Sequence, residues 1–151
     1  MRRKDREKDA VFAAAIIDKC EYASLATVNE DGSPYCINIS VIRIDDAIYF
    51  HCAMSGQKTD NMKLDNRVCL SFVGDTFLPP DEFTARYESA IVFGTAEEVV
   101  EYEEKITALK LLCEKYTPTN MADFENHIEK YIKHTAVWKI QIDKITGKSS
   151  F

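Results

Sequence analysis

The stretch "YFHCAMSGQK", Tyr49 to Lys58, brings together the side chains best equipped for chemistry: an imidazole, a thiol and a lysine beside a glycine. His51 titrates near neutrality and can donate or accept a proton. His51 and Cys52 suggest a metal pair or a nucleophile pair. However, neighbours on a strand point to opposite faces, so the two cannot meet at one ion or one substrate atom. The other histidines, His127 and His134, flank a predicted helix-to-strand junction, and no metal site is expected. There is no Gly-x-Ser-x-Gly elbow. "GKSS" at 147–150 has Ile142 where a phosphate loop requires a glycine.

The loop "AMSGQKTDN" is a better candidate. Gly56 permits an unusual backbone angle, and Lys58 falls near the start of the next helix. A cation there opposes the helix dipole by about 0.3–1 kcal/mol unless an anion compensates. Free amides with Ser55, Gln57, Lys58 and Thr59 would suit a phosphate; the alternative is a solvated lysine beside a Ser55 or Thr59 cap. In "CINISVIRI", Ile37, Ile39 and Val41 share one face of a strand, and Cys36, Asn38, Ser40 and Ile42 the other. Asn and Ser are poor strand formers. Either water or a flat hydrogen-bonding ligand meets them.

The elements that must hold these residues follow from periodicity and turn chemistry. Asp9–Lys19 is rich in helix formers. "YASLATVNEDGSPYCINISVIRI" gives two strands around a turn at Asp31-Gly32, with Pro34 at a strand start. "AIYFH", "RVCLSFV", "RYESAIVFGTAEEVV" and "TAVWKIQI" give four more, with Gly94 marking a bulge or a close backbone approach. Ile106, Leu109, Cys113 and Tyr116 space a helix that Thr117-Pro118 ends, and a short helix covers 122–132. Short connections impose antiparallel pairing. The expectation is one domain, 1–151, mainly β: a six-stranded antiparallel barrel with peripheral helices.

Composition narrows the partners. With 46% apolar and 29% charged residues, the 151-residue chain is globular. Its 19 Lys+Arg against 25 Asp+Glu give a net charge of −6, which disfavours nucleic acid. Five cysteines without a CxxC spacing suggest reduced, buried thiols. "AVFAAAII" is too short to span a bilayer, and the acids at 5, 7 and 9 argue against a signal peptide. A cytoplasmic protein that binds no membrane is expected.

The ordered set "MRRKDRE", "DGSPYCINIS", "YFHCAMSGQKTDNMKLDNRVCLSF", "YESAIVFGTAEEV" and "WKIQIDKITGK" resembles the FMN-binding split-barrel superfamily, which includes pyridoxamine 5'-phosphate oxidases. It is most similar to the nitroimidazole-reductase-like branch. The resemblance implies a split barrel binding FMN at the interface of a homodimer. Asn38, Ile39, Ser40 and Val41 would lie along the flavin ring by their backbone, and His51, Cys52, Ala53 and Lys58 would hold ribityl and phosphate. Gln57 stands where the oxidases carry arginine, and Ser89 where they carry a glutamine near the pyrimidine edge. Trp138 and Lys148 match contacts from the second subunit, although Trp138 equally suits a core or interface aromatic. His51 matches a histidine near the cofactor in that branch and is the best candidate proton donor. The pyridoxal-phosphate-binding arginines have no counterparts.

The resemblance therefore implies a flavin-dependent oxidoreductase acting on a small electron-poor organic molecule, with NAD(P)H a candidate electron donor. The alternative is a non-catalytic flavin carrier or haem-binding protein on the same barrel, with His51 as iron ligand.

Overall fold

The computed structural model describes residues 2–151. Asp9 caps α1 (Ala10–Lys19), its carboxylate accepting the Phe12 N–H at 2.8 Å. The strands are β1 (Glu7–Lys8), β2 (Ala23–Val28), β3 (Pro34–Ile39), β4 (Ile42–Ile44), β5 (Ala47–Ala53), β6 (Arg67–Phe77), β7 (Arg86–Glu98) and β8 (Thr135–Ser149). The remaining helices are α2 (Gln57–Leu64), α3 (Tyr102–Tyr116) and α4 (Phe124–Tyr131). All pairings are antiparallel, in the order β3-β2-β6-β7-β8-β5-β4, with β1 added to β8.

The antiparallel, mainly β architecture matches the expectation, and the strand count of eight rather than six has two causes. The run "CINISVIRI" breaks at Ser40-Val41 into β3 and β4, and Glu7–Lys8 adds a short strand. The last strand also continues well beyond "TAVWKIQI", to Ser149. Gly94 fulfils both roles foreseen for it. The β7–β8 register slips between Phe93 and Gly94, and a Cβ there would stand 2.3 Å from Gln141 O.

Period-2 alternation gives the sheet two covered faces at its β5 end. Ile48 and Phe50 join Leu25, Leu70, Phe72, Val92 and Ile140 inside the barrel. Ala47 and Tyr49 point the other way, into a second core with Leu109 and Leu112 of α3. One expectation is corrected: of the five free cysteines only Cys20 is buried, and Cys36 is exposed because it falls on the outward face of the end strand β3. Among the described residues no helix is long and apolar enough to cross a membrane.

Candidate functional site

Strand β3 ends the sheet, so half of its main-chain groups have no ladder partner. The Asn29 N–H donates to Ser33 O at 2.9 Å. Alternation from that pair directs Tyr35, Ile37 and Ile39 toward β2, and Cys36, Asn38 and Ser40 toward the open edge. Pro34 lies on the open side too, where a missing N–H loses nothing.

Strand β5 has a matching free edge. The Ile142 N–H donates to Asp46 O at 2.9 Å, so even-numbered residues up to Cys52 address β8. Odd-numbered His51 and Ala53 address the other side, where β4 stops at the pair Ile42–Tyr49. Continuing that register would set Ser40 against His51 and Asn38 against Ala53. Among the described residues β3 and β5 do not pair; the ladder is interrupted there. Ser40 and His51 nevertheless line a common cavity. The result is a split with unpaired peptide groups on both banks.

The end of α3 pins the chain at the break between β3 and β4. Val41 N–H donates to Tyr116 Oη at 3.0 Å, and Tyr116 Oη lies 2.8 Å from both Val41 O and Glu21 O. Lys115 Nζ donates to Cys20 O at 2.8 Å and Val41 O at 3.1 Å. Burial pushes the Lys115 ammonium below its ordinary value. Sequence reasoning passed over this pair. The available signal was a tyrosine closing an apolar helical stripe, because a packed phenol needs a polar partner. Tyr116→Phe would leave the buried Val41 N–H without an acceptor, and a loss of about 1–3 kcal/mol in a urea melt is expected.

Beyond β5, Gly56 caps α2 with φ of +144°, and Thr59 Oγ1 donates to Gly56 O at 2.6 Å. Gln57 is tied inward: its amide donates to Asn29 Oδ1 at 3.0 Å, and the buried Asn61 donates to Thr27 Oγ1 and Asn29 Oδ1. That network fastens α2 onto β2. Lys58 is half-buried and takes part in none of the ion pairs among the described residues. It lies close enough to Cys52 for its charge to oppose the rise that burial imposes on that thiol.

The residues singled out from sequence therefore separate. Ser40 and His51 share a cavity, Asn38 and Ala53 are the next residues of like parity on the two strands that fail to pair, and Lys58 lies in the first turn of the helix that follows β5. Ile39 is 8% exposed with its peptide in the β2 ladder, and Val41 is fully buried with its N–H and C=O engaged by α3. Cys52 faces β8 and packs on the barrel core. Trp138 is 2% exposed inside the barrel, and its Nε1 finds no acceptor among the protein's atoms. It is a core aromatic, with no surface to offer a ligand. Ser89 and Lys148 are register partners, and Lys148 Nζ sits 5.1 Å from the Tyr87 ring centroid. They lie at the opposite end of β8 from the strand pairs of His51 and Ala53.

His51 shares the outer face of β5 with Tyr49 and turns toward α3 and α4. Its ring is solvent-accessible but crowded by protein, and that burial pushes the imidazole below its ordinary value. The unfolded chain therefore binds a proton that the folded chain resists. Stability is unaffected above the unfolded value of about 6.5, declines as pH falls from there toward the lowered folded value, and levels off below it. We expect melting temperature to drop as pH falls below about 6.5, until the folded ring itself takes up its proton, and His51→Asn to flatten the part of the drop due to this ring.

A family model described as pyridoxamine 5'-phosphate oxidase matches residues 11–149. The chain belongs to the pyridoxamine 5'-phosphate oxidase family. No curated relative matches it. Solved structures share the family's split barrel. One, from Bacteroides thetaiotaomicron, is provisionally named for 5-nitroimidazole antibiotic resistance; it is 24% identical, covers 94% of this chain and 84% of that one, and has a TM-score of 0.78. An FAD- and haem-binding protein from Mycobacterium smegmatis is 21% identical over 96% of this chain and 73% of its own, with a TM-score of 0.80. An FAD-binding protein from Mesorhizobium loti is 18% identical over 97% and 98%, with a TM-score of 0.69.

Proposed function

We propose that this family member binds FMN along the split between β3 and β5, and that it is a flavin-dependent oxidoreductase of a small electron-poor organic substrate. The observation that carries the reading is the interrupted ladder. A flat ring edged with hydrogen-bonding atoms suits the unpaired peptide groups of Asn38 and Ser40 on one bank and His51 and Ala53 on the other. Lys58 supplies a positive charge at the start of α2 for the phosphate. Gly56, with its left-handed φ, lets the main chain turn tightly beside it.

FMN, when bound, supplies hydride and electron transfer. The chain supplies position, through rigid strands on both banks and the Tyr116–Lys115 prop beneath them. Burial favours the neutral form of His51, which offers a ring N–H to a substrate rather than a fixed charge. Ile39, Val41, Cys52 and Gln57 are supporting residues in this reading.

A homodimer completes the site. Ser89 and Lys148 stand at the far end of β8, so they serve the split of a second copy rather than their own. The outward face of β2, β6 and β7 is open and partly apolar. Val28, Val73 and Phe93 are 37%, 63% and 48% exposed around the smaller Ala26, Cys69 and Ser71. Such a face suits an isologous contact.

One observation favours a second reading, haem in place of flavin. His51 presents a neutral imidazole, the form that ligates iron, to a cavity of about 860 Å³. Absorbance after incubation with excess FMN or haemin, followed by gel filtration, separates the two. Flavin bands co-eluting with a dimer support the proposal. A Soret band alone moves it to haem, and neither chromophore refutes both. Nicotinamide oxidation on adding a nitro compound then distinguishes an enzyme from a carrier.

A further inference from the structure

The excursion between β7 and β8 leaves a space that the barrel itself does not need. α4 has no fully buried residue; it packs on the second core through Phe124 and Ile128 alone, both partly buried. Between this helix, α3 and the outer face of β5 lies the cavity of about 860 Å³, within the range that encloses drug-sized molecules. Its walls are Leu109, Leu112, Tyr116, Phe124, Ile128 and Tyr131. Ser40 lines it beside the split, Thr117, Thr119, Asn120 and Asp123 ring the turn between α3 and α4, and the two imidazoles stand apart. His51 and Thr135 mark the β5 side, and His127, whose ring lies 4.5 Å from that of Tyr131, marks the helical side.

The lining contains neither lysine nor arginine, and its only carboxylate is Asp123. An anion placed here would give up hydration with no cationic side chain on the lining to replace it. An uncharged aromatic ring gives up little and gains flat apolar walls.

We infer that this cavity is a binding site for an uncharged, planar aromatic molecule of one or two rings, held between α3–α4 and β5 with His51 and His127 as its hydrogen-bonding ends. Its role as the substrate pocket rests on the proposed function, since the main chain of His51 borders the split while its side chain borders the cavity. It sets this chain apart from a site built for a phosphorylated ligand, which requires cationic walls.

Three naphthalene probes of equal size test the inference by their own fluorescence, with no turnover required. Naphthalene-2-methanol is expected to bind at least tenfold more tightly than naphthalene-2-carboxylate, with the methylammonium analogue between them. Ala122→Trp, which fills the cavity from an exposed position, is expected to weaken the neutral probe at least tenfold. Thr119→Trp does the same from the adjoining turn should the first variant misfold. FMN at saturation is expected to leave the probe's affinity within twofold.

Equal or tighter binding of the carboxylate, an unchanged affinity in both tryptophan variants, or competition between FMN and the probe overturns the inference. Failure of FMN to bind while the neutral probe still does supports the cavity as an aromatic site and removes the flavin reading. FMN binding without probe binding does the reverse.

Discussion

Lys58→Ala is expected to bind FMN about 10- to 100-fold more weakly than the parent chain, the equivalent of one lost charge-assisted hydrogen bond of about 1.5–3 kcal/mol. The lysine is half-buried, outside every ion pair among the described residues, and second in α2, where its charge opposes the helix dipole. A dianionic phosphate reverses that sign. Riboflavin gives the internal control: the parent should discriminate FMN from riboflavin, and Lys58→Ala should not. Lys58→Arg should retain most of the preference. Flavin fluorescence quenching measures all three, and an unchanged FMN affinity in Lys58→Ala would remove the phosphate from this loop.

Gly94→Ala should produce the largest loss of stability available from a single methyl group. The added Cβ would lie 2.3 Å from Gln141 O and 2.7 Å from Ile140 Cγ2. The first of these is backbone, so β7 and β8 must move apart rather than a side chain turn aside. Both neighbours belong to the strand pair that runs the length of the barrel. Overpacking of this kind costs about 1–3 kcal/mol and more where the backbone cannot yield. We expect a loss at the top of that range, roughly 6–12 °C in melting temperature for a chain of this size. A melt within a degree or two of the parent would show that the bulge relaxes freely.

The contrast between these positions explains what the sequence made legible. Alternation, turn residues and helix stops located every long element, because burial on one face and tight turns leave marks in composition. Gly94 and Pro34 were readable for the same reason: each marks a local backbone demand. Lys58 and Gly56 were readable as a loop with an uncompensated charge. The break at Ser40-Val41 was not, since "CINISVIRI" alternates without interruption, and its cause sits about 75 residues away in Tyr116. Trp138 shows the converse. Matching residue types suggested a ligand contact, whereas the even-numbered face of β8 turns inward at that point and buries the indole. Parity along a strand, fixed by one hydrogen bond such as Ile142 to Asp46, decides which of two neighbours is available.

The split has an evolutionary corollary. Peptide units are common to all residue types, so the proposed cleft, whose reading heads are amides and carbonyls, is expected to survive exchange of the side chains at 38, 40, 51 and 53. On that reading, exchange of Tyr116, which pins Val41 at the break, would disturb the cleft more than exchange of the side chains on its banks. Descendants of one such barrel can drift far in sequence, and recruit new reactions, while the cleft itself stays the same.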